Sequence, residues 1–351
     1  MKIRWSNPPS ENATGDTVGY NNAGRALLAQ IEKRRGVSTT FDPDEDADVE
    51  VFFGFAGHED FSPKGDIPTV AFAMCETETI SETFANGINK ADSLVVPSAW
   101  CKQVFSRYTD NPIEVVPLGV DGSVFKFRKK KWRMGREPFR ILFIGAPNLR
   151  KYGCLEDVAP DIASLASRIP LEVYIKTTGA STKGFESRLQ SGAGELVGGV
   201  LYCGWYLFDN RKIPLDDVAK LYHSSHAVIL PSIGEGFGLT GLEAMSCGVP
   251  LITTAATGQS EYANEDVASI IETEYRDVSH RVKENKSSPY WHDTHSVVHW
   301  PSARSLLHNI IDVMSDYPTA VRRANNARRV AREMSWSASA SKLIDALSDA
   351  L

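Results

Sequence analysis

The chain has 351 residues, 42% hydrophobic and 23% charged, with a net charge of −6. Its length exceeds the ~250–300 residues at which single cores stop growing, which predicts two domains. No apolar run approaches the ~18 residues of a membrane span. The opening MKIRWSNPPSENATGD lacks the hydrophobic centre of an export signal, so the expected setting is the cytoplasm.

In chain order, MKIRWS reads as a strand and is followed by a glycine-bearing loop, ATGDTVGYNNAG. An amphipathic helix is expected from about Ala23 to Arg35, with Ala26, Leu27 and Ile31 on one stripe and Gly36 just past its end. VSTTF, VEVFFGF, PTVAFAM, SLVVPS and IEVVPL then read as strands, the signature of βαβ units. LGVDGSVF closes that array, and the stretch KFRKKKWRMGR (126–136) follows. The stretch is local: residues 1–120 carry ten Lys and Arg against eighteen Asp and Glu, whereas 121–140 carry eight against two. It is either a solvated linker or a contact for an anionic acceptor, lipid or nucleic acid, with Trp132 as a stacking or interfacial anchor.

The alternation then restarts. FRILFIGAP is a buried strand, LEDVAPDIASLASRI a helix and LEVYIKTTG a strand. DDVAKLYHSS is helical, AVILPS a short apolar strand, TGLEAMSCG a helix ended by glycine, and PLITTAA a strand. Residues 273–300 give no clear period, and helices are expected at 302–315, 318–333 and 336–350. Two successive α/β arrays predict two doubly wound parallel-sheet domains facing a cleft. The expected boundaries are 1–125, a linker at 126–137, and 138–335, with 336–351 crossing back as a helix. The cysteines (Cys75, Cys101, Cys154, Cys203, Cys247) form no C-x-x-C pair and read as reduced, buried thiols. His292, His295 and His299, in YWHDTHSVVHW, read as a polar loop in preference to a metal site.

The segment PSIGEGFGLTGLEAMSCGVP (231–250) carries the chemistry. The loop SIGEGFG leaves the carboxyl end of a strand, where open α/β sheets bind their ligands. Gly236, Gly238 and Gly241 permit close backbone approach. The helix beginning near Leu239 or Thr240 offers free N–H groups and a positive dipole end to a diphosphate. Glu235 and Glu243 cannot share one helix face, because glycines interrupt the helix between them. Two separated carboxylates, which accept hydrogen bonds when ionised, suit the hydroxyls at the two ends of a sugar nucleotide.

The run E-G-F-G-L-T-G-L-E-A-M-x-C-G-x-P after a strand ending in P-S resembles the retaining GT-B-fold glycosyltransferases of family four, with their E-x7-E signature. VPSAWCKQVF, IEVVPLGVDGSVF, FIGAPNLRKYG and MSWSASASKLIDAL extend the resemblance over nearly the whole chain. It implies that Glu235 holds the donor sugar's hydroxyls and Glu243 the ribose. The amides of Gly236, Phe237, Gly238, Leu239 and Thr240 would then meet sugar and diphosphate. Lys151 falls where the family has its diphosphate lysine. The family's arginine is replaced by Ala146, which leaves Arg150 as the candidate substitute. The family's histidine is missing from the first domain, and Glu76, in AMCETETISETF, stands near its place as an acceptor-side or sugar-side group. Gly15 and Gly19 match the family's first glycine-bearing loop, which faces acceptor and diphosphate.

The implied activity is a retaining transfer of a sugar from a nucleotide-diphosphate sugar to a hydroxyl of a glycan, lipid or modified nucleobase. Glu235, Lys151 and Glu76 would be the catalytic set. No D-x-D motif stands in the donor segment 231–250, so neither metal nor cofactor is expected, the nucleotide sugar being a co-substrate. The alternatives are a non-catalytic sugar-nucleotide binder and a GT-B-fold epimerase. Residues 126–136 could bring the chain to an anionic acceptor, a lipid surface or DNA, including peripherally at a membrane.

Overall fold

The structure is a computed structural model describing residues 1–10, 17–57, 61–133, 135–146, 149–177, 195–197, 200–279 and 297–351. The first sheet contains β1 (Lys2–Trp5), β2 (Ser38–Thr40), β3 (Val49–Phe53), β4 (Thr69–Phe72), β5 (Ser93–Val96) and β6 (Ile113–Val115). Its order is β2-β1-β3-β4-β5-β6, parallel throughout. Between these strands run α1 (Thr17–Ile31), α2 (Glu82–Ile88) and α3 (Ala99–Phe105). Serine hydroxyls cap the latter two, Ser81 accepting from the Phe84 N–H and Ser98 from that of Cys101.

The second sheet contains β7 (Phe139–Ile144), β8 (Leu171–Lys176), β9 (Glu195–Val197), β10 (Val200–Cys203), β11 (Tyr206–Asp209), β12 (Ala227–Leu230), β13 (Leu251–Thr253) and β14 (Ser269–Ile270). Its order is β14-β13-β12-β7-β8-β11-β10-β9, parallel from β14 to β11 and antiparallel at β10 and β9. Its helices are α4 (Leu149–Ala166), α5 (Leu215–Ser224) and α6 (Leu239–Cys247). A separate hairpin pairs β15 (Thr273–Asp277) with β16 (Val297–Pro301). The chain ends in α7 (Ala303–Ser315), α8 (Tyr317–Glu333) and α9 (Trp336–Asp349).

The architecture is thus two parallel α/β units of Rossmann type. α9 packs on α1 of the first unit. There the Val120 N–H donates to the Met334 carbonyl at 3.0 Å and Arg34 donates to the Ser337 carbonyl at 2.7 Å. A Cβ on Gly119 would lie 2.2 Å from the Trp336 nitrogen, so the crossing requires glycine there.

Several elements depart from the sequence reading. α1 begins at Thr17, so Gly19 and Gly24 sit inside a helix expected to start near Ala23. α4 begins at Leu149, so Arg150 and Lys151 stand on its first turn, not on a loop. The antiparallel strands β9 and β10 and the β15–β16 hairpin went unread. Among the described residues no helix is long and apolar enough to cross a membrane.

Candidate active site

Strands β7 and β12 are neighbours, yet the chain leaves β7 toward β8 and leaves β12 toward β13. The sheet reverses its winding there, and a crevice opens beyond the carboxyl ends of the two strands. The segment after β7 supplies Arg150 and Lys151, and the loop after β12 supplies Glu235.

Glu235 is 5% exposed. One carboxylate oxygen accepts from the Lys151 ammonium, and the other from Arg150 Nη1 at 2.8 Å. Burial alone would push its pKa up, but the Arg150 and Lys151 charges outweigh it and hold it below the ordinary value. Burial pulls Lys151 down, against the attraction of Glu235. The two directions pull oppositely on one ion pair; a carboxylate gripped by two cations is ionised, and the lysine facing it is charged. The Lys151 stem passes over Gly145, where a Cβ would lie 3.2 Å from the lysine Cδ.

Arg150 also reaches the first unit, its Nε lying 2.8 Å from Glu76 Oε2. This contact depends on Gly234, where a Cβ would sit 1.8 Å from the Glu76 carbonyl oxygen. At Gly236 a Cβ would meet Met74 at 2.6 Å, and Ser98 Oγ donates to the Gly236 carbonyl at 2.8 Å. The two units therefore meet backbone to backbone beside the ion cluster.

The loop is fixed from below. The Gly258 N–H donates to the Glu235 carbonyl at 2.9 Å, and the Tyr262 hydroxyl to that of Gly238 at 2.6 Å. Gly238 caps α6 with φ +86°, a left-handed value that favours glycine. Thr240, on the first turn of α6, has a buried Oγ1 with no hydrogen-bond partner among the described residues. An orphaned hydroxyl at a helix N-terminus suits an anionic ligand.

Glu243 lies one turn further along, not bonded to either cation but near enough to Lys151 to feel its charge. It retains some solvent contact, but its carboxylate is mostly enclosed, and this burial pushes its pKa up to about 7. The Tyr222 hydroxyl, 2.7 Å from Glu243 Oε2, favours the ionised form and limits the rise.

Four predicted residues, Glu76, Arg150, Lys151 and Glu235, thus form one cluster. Phe237 is 1% exposed and packs edge-on against Tyr262, so its side chain belongs to the core. Gly19 is helical and does not belong to a loop. Gly15, His292 and His295 lie outside the described residues. His299, read as part of a polar loop, stands on β16 and lies 2.8 Å from Glu78 Oε1. That bond, acting against burial and with help from Trp100 and Arg107, holds Glu78 down at about 2. Among the described residues no cluster could hold a metal ion. All five cysteines are free and buried.

The basic stretch also needs correcting. Lys130 is buried, and its ammonium donates to the carbonyls of Tyr222, His223 and Ser225, closing the C-terminus of α5. Trp132 is no interfacial anchor: its ring packs against Phe139, Tyr317 and His226. These contacts lie at the amino ends of β7 and β12, the edge opposite Glu235. The stretch does not line the crevice.

Sequence reasoning missed Ser98, Tyr222 and Gln259. Ser98 was legible as the residue between β5 and a helix. Tyr222 lies on the inward stripe of α5 and gave no polar signal. Gln259, fully buried between Thr254 and Thr257, is recognisable only from the folded loop.

Residues 211–343 match the family described as Family 4 Glycosyltransferase in conflict systems. A D-inositol 3-phosphate glycosyltransferase of Salinispora tropica is 30% identical over 139 residues, 39% of this chain and 23% of that protein. A GDP-mannose-dependent alpha-(1-6)-phosphatidylinositol dimannoside mannosyltransferase of Mycobacterium tuberculosis is 25% identical over 216 residues, 60% of this chain and 53% of that protein. The chain thus spans from about a quarter to about half the length of these curated relatives. Among solved structures, Anabaena HepE in complex with UDP and glucose superposes with TM-score 0.67 at 15% identity, covering 99% of this chain and 100% of that one. A sucrose-phosphate synthase from Thermosynechococcus elongatus gives TM-score 0.67 at 14% identity, covering 99% and 98%. The GT-B architecture thus extends over the whole chain, and the stretch similar to family-4 glycosyltransferases includes both Glu235 and Glu243.

Proposed function

We propose that the chain transfers a sugar from a nucleotide-diphosphate sugar to an acceptor hydroxyl, with retention at the anomeric carbon and without a metal ion. The observation that carries this reading is the pair Arg150 and Lys151, held on one carboxylate beside the N-terminus of α6, where Thr240 Oγ1 has no partner among the described residues. A diphosphate entering there competes with Glu235 and Glu76 for the two cations. It also gains the α6 amides and the Thr240 hydroxyl. Glu235, relieved of part of its ion pairing, is then able to accept from the donor sugar's hydroxyls. Glu243 stands where ribose hydroxyls would reach it. Relatives whose names specify GDP-mannose, and a fold neighbour holding UDP and glucose, support a sugar-nucleotide donor.

Bond breaking places growing negative charge on the leaving diphosphate. Preorganised cations and amides act on that charge, and the departing phosphate oxygen takes the acceptor proton. Glu76, tied to Arg150, reaches the site from the acceptor side and orients that guanidinium. The acceptor is a hydroxyl compound small enough, or thin enough at its end, to enter the cleft.

The test is a thermal-shift screen against a panel of sugar nucleotides, followed by detection of nucleoside diphosphate release with and without candidate acceptors, in the presence of chelator. Stabilisation by one donor and slow release of its nucleotide support a transferase. Stabilisation without any turnover would favour a binding protein. Complete loss in chelator restored only by Mg²⁺ or Mn²⁺ would overturn the metal-free route.

A further inference from the structure

We propose that α8 and the segment 126–136 together form a docking surface for the phosphate backbone of a duplex nucleic acid, separate from the transfer site. On α8, Arg322, Asn325, Arg329 and Arg332 are all exposed. Their spacing of three, four and three residues puts them on one helix face over about three turns. Every Lys and Arg of 126–136 except Lys130 is exposed as well.

Two contacts align the two elements. The Arg328 guanidinium lies 4.3 Å from the centre of the Phe127 ring, and Trp132 lies 5.9 Å from Tyr317. Moving from Arg328 back to Tyr317 covers about 16 Å of helix. Moving from Phe127 to Trp132 covers about 17 Å of extended chain. The lengths agree, so the segment runs antiparallel alongside α8, and the molecule presents two rows of cations side by side. Exposed acids there are fewer than the cations: Glu333 on the helix, Asp316 capping it, Asp266 beside Asn326, and Asp121 and Glu137 flanking the segment. In a chain of net charge −6 this is a concentrated positive face.

Charge complementarity sets the partner as a polyanion, and the apolar residues decide which kind. Stable seating on a lipid surface combines charge with inserted apolar side chains. Here Phe127 is covered by Arg328, and Trp132 is turned onto Phe139 and Tyr317. Among the described residues of these two elements none that is large and apolar is exposed. Paired rows of cations instead match the two phosphate strands that flank a duplex groove, ~6–12 Å across. Arginine forks and the interspersed Asn325 are suited to phosphate oxygens. The surface lies at the opposite strand edge from Glu235: the Arg128 N–H bonds the Cys247 carbonyl at the far end of α6. Docking therefore tethers the protein and leaves the crevice open.

The experiment is fluorescence anisotropy of the full chain with a labelled DNA duplex across a salt series. The log of the binding constant should fall linearly with log salt, with a slope of about −0.9 per neutralised phosphate. Replacing Arg322, Arg329 and Arg332 together by alanine should weaken binding at least roughly tenfold and make the slope shallower by about two to three. An unchanged melting temperature and circular dichroism spectrum show that the fold of this variant is intact. A second variant, Lys126→Ala with Arg128→Ala and Lys129→Ala, should do the same from the other row. Absence of duplex binding at low salt, binding that neither variant weakens, or sedimentation with phosphatidylserine vesicles without duplex binding would each overturn the proposal.

Discussion

Lys130 and Lys151 are both buried lysines of the same unit, at opposite edges of one sheet. Lys130 gives its hydrogen bonds to three backbone carbonyls at the end of α5, neutral partners that belong permanently to the fold. Lys151 gives its charge to Glu235, a carboxylate that a stronger anion can replace. One arrangement is closed and the other exchangeable. Burial of a cation therefore does not mark a site; a partner that a ligand can imitate does.

The sharpest way to break this contrast is to remove Lys151. Lys151→Ala should lower kcat by about 10²-fold or more, the scale for loss of one preorganised electrostatic donor. Arg150→Ala should cost a comparable factor, since its guanidinium shares the same carboxylate. Steady-state kinetics on both variants checks this, and a near-normal rate for Lys151→Ala would move the phosphate site elsewhere. Lys130→Met should do the reverse, leaving kcat intact while costing about 1–3 kcal/mol of stability by orphaning buried carbonyls. Denaturant melts of wild type and variant measure the loss, and an unchanged midpoint would mean that the α5 carbonyls find other donors.

The contrast extends to the carboxylates. Glu235 has cations; Glu243 has a tyrosine. With a folded pKa of about 7 against an ordinary 4.5, Glu243 favours folding in its protonated form. That contribution is full below about pH 4.5 and is lost as pH rises through about 7. Nucleoside affinity should run the opposite way, rising over the upper part of that window as the ionised carboxylate becomes able to accept from both ribose hydroxyls. Calorimetry with a nucleoside, whose titration does not overlap, should show this rise in wild type, a higher midpoint in Tyr222→Phe, and none in Glu243→Gln. The smallest effect is expected for Ser98→Ala, which removes the hydrogen bond between the units together with the N-cap of α3: about 1–2 kcal/mol in all. A melt that shows no shift would remove Ser98 from the closure contacts.

Much of the fold was legible because parallel strands buried on both faces read as apolar runs: VEVFF and AVIL need no structure to be recognised. The donor-side loop was legible because its glycines and carboxylates are adjacent in sequence. The start of α4 was not, since NLRKYG contains a glycine and has no apolar stripe until Cys154. Nor was the meeting of Glu76 with Arg150, which joins residues 74 positions apart across two units. Local pattern carries no information about such a pair. The turning inward of Lys130 and Trp132 was hidden for a related reason: composition reports charge, while burial depends on carbonyls nearly a hundred residues away.

The contact of Gly234 with the Glu76 carbonyl bears on the order of events in turnover. With the two backbones touching there and Arg150 spanning the gap, the crevice is roofed at its phosphate end. On the proposed function, a sugar nucleotide would reach the cations once the units part there and would leave as spent nucleotide by the same opening. Breathing would then be a stage of the cycle whose rate caps throughput however fast the bond breaks.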